Sequence, residues 1–250
     1  MHLLVSLLRN SCVTWSSCSP CEHVARSSHR FVSSRSLRNF CSEVIKEDAD
    51  YSPVFVRRSD NLTVSDPKIC GRSVVVCSDF VSEEEEQTLL SEIEPALKRL
   101  RYQIEHWDDA IHGYRETEKA DWNADNLQII QRIKEFAFPQ GVPTLKLVHV
   151  LDLSQDGYIK PHVDSFCGNT VAGLSLLTDS VMRFTCSAND SLKIDVLLPR
   201  RSLYVMRDKM RYDFTHEILN NNDSFFKGEK IFKSRRISVI CRNEPLAADV

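Results

Sequence analysis

Apolar residues along this chain follow successive patterns. Val74-Val75-Val76-Cys77 is an unbroken apolar run, which predicts a short buried strand. From Leu89 through Leu90 and Ile93 to Leu97 the spacing becomes three and four, the mark of a helix with one buried face. Ser82 stands where such a helix needs a cap, and Glu85, three positions on, completes a capping box. The acids Glu83 to Glu86 then fall in the first turn, where they complement the positive end of the helix dipole. Pro95 is expected to kink the helix. A second amphipathic helix is predicted from about Asp125 to Phe138 on Leu127, Ile130, Ile133 and Ala137, stopped by Pro139-Gln140-Gly141.

Beyond Gly141 the pattern shortens to strand-sized segments separated by turn residues. The predicted strands are Lys146 to Leu153, Gly157 to Val163, Val171 to Leu177, Val181 to Cys186, Lys193 to Leu198, Ser202 to Met206, Phe214 to Ile218 and Arg236 to Cys241. Such a density of strands implies an α+β chain that is mainly β: two packed antiparallel sheets in a jelly roll, or double-stranded β-helix, around a ligand cavity. The N-terminal helices would pack on one outer face. The stretch from Tyr102 to Trp122 fits neither period and holds two Trp, two Tyr and two His among its charges. It either lines a binding surface or braces a loop. Read as helical, its His106, Asp109 and His112 would not converge on one ion.

The first forty residues differ in composition. They contain Arg9, Arg26, Arg30, Arg35 and Arg38, no Lys, one acid at Glu22 and ten Ser. An Arg- and Ser-rich, acid-poor start predicts a mitochondrial transit peptide over residues 1–40. Arg38-Asn39-Phe40-Cys41-Ser42 resembles an arginine-directed cleavage site of matrix proteins, with the cut after Phe40. Residues 41–72 read as a largely irregular linker, 73–243 as the folded domain and 244–250 as a tail. Removing five positive charges and one negative moves the formal charge from −3 to −7. A domain this acidic is a poor partner for duplex DNA, although RNA stays open. No run of 18 uncharged apolar residues occurs, so no membrane-spanning helix is expected. The nine Cys lack paired metal spacing, which suits free thiols in a reducing compartment. A monomer is expected.

The candidate chemistry lies on three of the predicted strands. In Pro161-His162-Val163-Asp164 the His and Asp are two apart and share one side of a strand. His216 follows 52 residues after Asp164, on a strand that can return beside the first. Two imidazoles and one carboxylate form a facial triad with open positions, suited to Fe(II) that binds a co-substrate and O2. In Arg235-Arg236-Ile237-Ser238-Val239-Ile240-Cys241-Arg242, alternation puts Arg236, Ser238 and Arg242 on one face. Inside a barrel two guanidiniums require an anion, and a dicarboxylate would meet both. His149 reads as a hydrogen-bonded structural residue.

Taken together, His162-x-Asp164, His216 and Arg236-x-Ser238-x-x-x-Arg242 resemble the AlkB family of iron- and 2-oxoglutarate-dependent dioxygenases over roughly residues 74–243. The longer runs HVLDLSQDGYIKPHVDS, SLYVMRDKMRYDFTHEI and RRISVICR are similar to its mitochondrial branch. The resemblance implies Fe(II) on His162, Asp164 and His216, with 2-oxoglutarate and O2 as co-substrates. It implies that Arg236, Ser238 and Tyr204 contact 2-oxoglutarate, and Arg242 its carboxylate near iron. DNA-repairing relatives carry an Asn-x-Tyr where this chain has Leu151-Asp152-Leu153, and a longer lid than 102–122. Expected, therefore, is a matrix dioxygenase hydroxylating a protein or peptide, with a part in fatty-acid metabolism and in programmed necrosis after alkylating damage. The alternatives are a demethylase of N-methylated mitochondrial RNA and a non-catalytic interaction module.

Overall fold

Helix α1 (Glu83–Leu97) begins with the expected reciprocal cap. The Glu85 N–H donates to Ser82 Oγ at 3.1 Å, and the Ser82 N–H donates to the Glu85 carboxylate at 2.9 Å. Helix α2 (Ala124–Ala137) is capped by Asn123, whose side chain accepts from the Asn126 N–H. Its buried face is Asn126, Ile129, Ile130, Ile133 and Ala137, whereas Leu127, expected inside, is 41% exposed. The cause is Asn126, whose amide bonds the Thr88 carbonyl and Glu92 of α1 and turns the helix inward on that side. In the computed structural model the described residues are 56–58, 73–106, 109–164 and 168–245. The expected leader, its cleavage point after Phe40, most of 41–72 and residues 246–250 lie outside them.

Thirteen strands are present among the described residues: β1 (Val56–Arg58), β2 (Val74–Cys77), β3 (Gln103–Glu105), β4 (Ile111–Lys119), β5 (Val148–His162), β6 (Thr170–Leu176), β7 (Ser180–Cys186), β8 (Asn189–Leu198), β9 (Ser202–Arg207), β10 (Phe214–Ile218), β11 (Phe225–Phe226), β12 (Glu229–Lys230) and β13 (Arg236–Arg242). A short helix, α3 (Asp208–Tyr212), joins β9 to β10. Eleven strands form one antiparallel sheet ordered β1-β8-β7-β10-β5-β13-β6-β9-β2, with the β3–β4 hairpin attached to β5. This is the mainly-β, nearly closed double-stranded β-helix expected.

The two layers meet along β5. Residues 149–153 pair with β13 and 148–153 with β4, whereas Ile159 and His162 pair with β10. One apolar cluster, including Leu153, Tyr204, Phe184, Val196 and Phe214, draws on both layers and fills the space between them. A second cluster lies outside, where Leu89, Ile93, Ile130 and Ile133 of the helices cover Leu174 and Val239. Alternation along β13 divides the two: Ile237, Val239 and Cys241 face the helices, and Arg236, Ser238, Ile240 and Arg242 face inward.

Two expectations need correction, those for residues 146–163 and 102–122, while a short strand within 41–72 leaves its reading as largely irregular untested. Lys146 to Leu153 and Gly157 to Val163 are one continuous strand, not two. Gly157 marks a close crossing, since a Cβ there would meet the Gly113 and His112 carbonyl oxygens at 2.5 and 2.9 Å. Within 41–72, Val56–Arg58 forms a strand against the edge of β8. The stretch 102–122 is largely the β3–β4 hairpin; at Gly113, whose φ of 60° is left-handed, its pairing with β5 shifts register, with the extra residues on β5.

The outer face of β5 carries one buried acid. Asp152 is fully buried and accepts from Arg115 Nε at 2.7 Å, from Arg235 Nε and Nη2 at 2.9 and 2.8 Å, and from the Tyr102 hydroxyl at 3.1 Å. Arg235 also reaches Glu94 of α1. The network ties β4, β5, β13 and α1 together. Removing the carboxylate leaves two guanidiniums without their shared acceptor, so Asp152→Ala is expected to lower unfolding free energy by about 3–5 kcal/mol. Denaturant melts of the purified protein check this.

Candidate metal and co-substrate site

A bulge places the first imidazole. Ile218 pairs with Ile159, but His216 pairs with His162, so β5 has one extra residue between the two rungs. Pro161 lies in that interval, where its missing N–H is tolerated. The bulge brings His162 opposite His216, with ring centroids 4.3 Å apart. Asp164 lies just past the end of β5, with its Oδ2 3.5 Å from His216 Nε2. One nitrogen or oxygen from each of His162, Asp164 and His216 falls within 4.8 Å of the others.

Three features of this group fit a divalent cation. His162 Nδ1 lies 2.9 Å from the Lys160 carbonyl oxygen. A carbonyl can only accept, so Nδ1 carries the proton and Nε2 keeps its lone pair. Asp164 Oδ2 and His216 Nδ1 are buried and have no hydrogen-bond partner. Burial pushes His216 down to about 3, with only partial opposition from the charge of Asp164. The ring is therefore neutral near pH 7, and its 3.5 Å approach to Asp164 is not an ion pair. Burial opposes the charge on Asp164, yet its carboxyl is held below its usual range, with Arg242 the permanent cation among the groups that face it.

The cationic side of the cavity is built on β13, β6 and β9. Arg236 is 1% exposed; its Nε donates to Ser175 Oγ at 3.0 Å and its Nη2 to Ser238 Oγ at 3.3 Å. Burial pulls its pKa down, and the Tyr204 hydroxyl bonded to it works the other way. No carboxylate among the described residues pairs with this guanidinium. Tyr204 reaches it because its cross-strand partner is Gly173, where a Cβ would fall on the Tyr204 ring. Arg242 lies on the metal side, with Nη2 3.5 Å from Asp164 Oδ1. The seven expected residues thus fall in two groups, His162, Asp164 and His216 with Arg242, and Arg236 with Ser238 and Tyr204.

Two residues, His149 and its partner Glu116, were missed by sequence reasoning. His149, read as structural, faces the cavity with Nδ1 3.5 Å from Arg242 Nη1 and Nε2 2.8 Å from Glu116 Oε2. Its parity with Leu151 and Leu153 was the available signal. Those two leucines lie opposite Ser238 and Arg236, so the cavity wall is apolar where Asn-x-Tyr stands in DNA-repairing relatives. His106, Asp109 and His112 lie on a hairpin rather than a helix. Asp109 does approach His112, at 3.1 Å, within a second grouping that includes Glu105. Lys160 Nζ lies 2.6 Å from Asp109, which makes this exposed grouping an ion-pair cluster.

No protein-family model matches the chain. It is 50% identical over 186 residues to mouse (Mus musculus) "Alpha-ketoglutarate-dependent dioxygenase alkB homolog 7, mitochondrial", covering 72% of this chain and 84% of the relative. It is 51% identical over 175 residues to the bovine (Bos taurus) protein of the same name, covering 69% and 79%. Among solved structures, OsALKBH1 shares the fold with a TM-score of 0.51 at 12% identity, over 68% of this chain and 97% of that one.

Two measurements test the site's physical basis. Gly173→Ala displaces the Tyr204 ring from Arg236, so a bond to a charged group is lost and 2-oxoglutarate should bind about tenfold more weakly. An unaltered dissociation constant by calorimetry would show that Tyr204 contributes nothing there. For pH, His216 titrates near 6.5 when exposed and near 3 when folded. Between those values the unfolded chain holds a proton that the folded one lacks. Metal-free protein should therefore lose stability as pH falls through that window, by at most about 1.4 kcal/mol per pH unit from this group. His216→Leu should flatten the dependence seen in denaturant melts.

Proposed function

The chain belongs to the alpha-ketoglutarate-dependent dioxygenases of the alkB homolog 7 type, enzymes of Fe(II) and 2-oxoglutarate, and from that premise we propose how its residues divide the work. His162, Asp164 and His216 hold the iron. Arg236, Ser238 and Tyr204 hold the distal carboxylate of 2-oxoglutarate, and Arg242 the carboxylate nearer the metal. The observation that carries this reading is the fully buried Arg236, a cation hydrogen-bonded by hydroxyls with no acid beside it. A buried guanidinium without a counter-ion is costly, and a dicarboxylate removes the cost with bidentate geometry.

When bound, iron would supply oxidation of aliphatic C–H bonds by O2, with 2-oxoglutarate as the reductant, one oxygen atom passing to succinate as carbon dioxide leaves and the other to the substrate. The chain's own contribution is placement. The Lys160 carbonyl holds a proton of His162 on Nδ1 and leaves Nε2 for the metal, and burial keeps His216 neutral, so that ring binds without first losing a proton. Asp164 is held ionised with the Arg242 guanidinium 3.5 Å from its Oδ1. Leu151, Leu153 and Ile240 line the cavity beside the co-substrate residues and keep water from the reacting centre.

The substrate is a protein side chain that becomes hydroxylated in the mitochondrial matrix. An acidic chain argues against polyanions, and the compact β3–β4 hairpin offers little to wedge bases apart. A part in fatty-acid metabolism and in programmed necrosis after alkylating damage belongs to the same proposal, on resemblance alone. Iron-loaded protein incubated with mitochondrial extract should give 2-oxoglutarate-dependent addition of oxygen to peptides, read by mass spectrometry. Loss of methyl groups from mitochondrial RNA instead would make the enzyme a demethylase. His162→Ala and Asp164→Ala should abolish succinate formation, and normal turnover in either contradicts the ligand set. A folded chain that fails to bind iron would be an interaction module.

A further inference from the structure

Glu116 on β4 and His149 on β5 face the same cavity as the metal ligands, yet neither has a part in the function above. His149 Nε2 lies 2.8 Å from Glu116 Oε2. A carboxylate accepts, so Nε2 carries a proton. Nδ1 of the same ring lies 3.5 Å from Arg242 Nη1. A guanidinium only donates, so Nδ1 accepts and the ring is neutral. The contacts thus have a single sense: Arg242 donates to His149, which donates to Glu116. The other arm of Arg242 points at Asp164 Oδ1, 3.5 Å away.

This order matters because Arg242 has an acid on either side. The hydrogen bond from His149 is the first cause holding Glu116 below the usual carboxylate range, against its burial, with Arg242 and His106 also facing it. The second oxygen of Glu116 faces His106 Nε2 at 3.9 Å. If the position between them were apolar, Arg242 would turn toward Glu116 and pair with it bidentately. It would then leave the metal side of the cavity. The imidazole stands in that path, occupies Glu116, and offers Arg242 a single acceptor. Both contacts of Arg242 are long, so its guanidinium is aimed rather than clamped.

We propose that His149, backed by Glu116, is a positioning residue that aims Arg242 at the metal-proximal carboxylate of 2-oxoglutarate. This rests on the role given to Arg242 above. The test is calorimetric titration of 2-oxoglutarate into the full chain loaded with Mn(II), which binds without turnover. His149→Leu should weaken 2-oxoglutarate about tenfold, with Mn(II) affinity within about twofold of wild type. His149→Asn, whose amide oxygen can accept from Arg242, should recover most of the loss. In an Arg242→Leu background, His149→Leu should add less than about twofold, the non-additivity of groups that act as one. Glu116→Gln should cost about threefold by the same Arg242-dependent route, and it carries the comparison if the leucine variant does not fold. Unchanged 2-oxoglutarate binding in these variants, additive losses, or an equal loss of Mn(II) affinity would overturn the proposal. Normal binding by Arg242→Leu would instead remove the role of Arg242 itself.

Discussion

One extra residue on β5 governs the metal site. If the pairing of Ile218 with Ile159 continued in register, His216 would face Pro161 and His162 would point away from the cavity. The bulge reverses this, so that Ile159 can pack inside while His162, three residues later, also faces inward. A second irregularity, between residues 153 and 158, lets β5 leave its pairing with β13 and cross toward β10. There Lys233, fully buried, donates to the carbonyls of Ser154 and Gln155 at 3.1 and 2.9 Å. Burial pushes this lysine down to about 8. A buried ammonium is an expensive way to hold two carbonyls, and its position shows where the strand must not straighten.

Much of this arrangement was legible in the sequence. On β13 and along the His-x-Asp segment, two-residue alternation maps directly onto inner and outer faces, and a side chain's type says which face it needs. The Ser82 cap with Glu85 was equally plain, because local spacing alone defines it. Strand β4 was illegible for a physical reason. Its outer residues Arg115 and Lys119 reach Asp152 and Glu92, and its inner Glu116 reaches His149. Polar pairs satisfy both faces, which erases the apolar alternation that marks a strand. The same cause hid His149, whose partners come from strands that sequence could not align. Leu127 and Ile129 were exchanged because a single buried amide, Asn126, sets the rotation of α2.

Aligning the two faces of β13 shows how rigidity and chemistry are divided. Arg235 and Arg236 are neighbours in sequence and point in opposite directions. Arg235 meets Asp152 and Glu94, and those acids raise its pKa beyond that of an ordinary arginine, with the Asp152 hydrogen bonds the largest cause. Arg236 meets only hydroxyls. The outer arginine is satisfied by the chain itself and fixes β13 to β5 and α1. The inner one is left for a ligand, on a strand that its neighbour holds still.

That division explains why an acidic chain can take a dianionic co-substrate. The chain as a whole has a net charge of −3, whereas the cavity sets Arg236 and Arg242 against Asp164 and the more distant Glu116. Charges on the exposed face are screened within about 8–10 Å at physiological salt. Those in the cavity sit among Leu151, Leu153 and Tyr204, where little water intervenes. Local potential in the cavity therefore counts for more toward a small dianion than the net charge of the chain does.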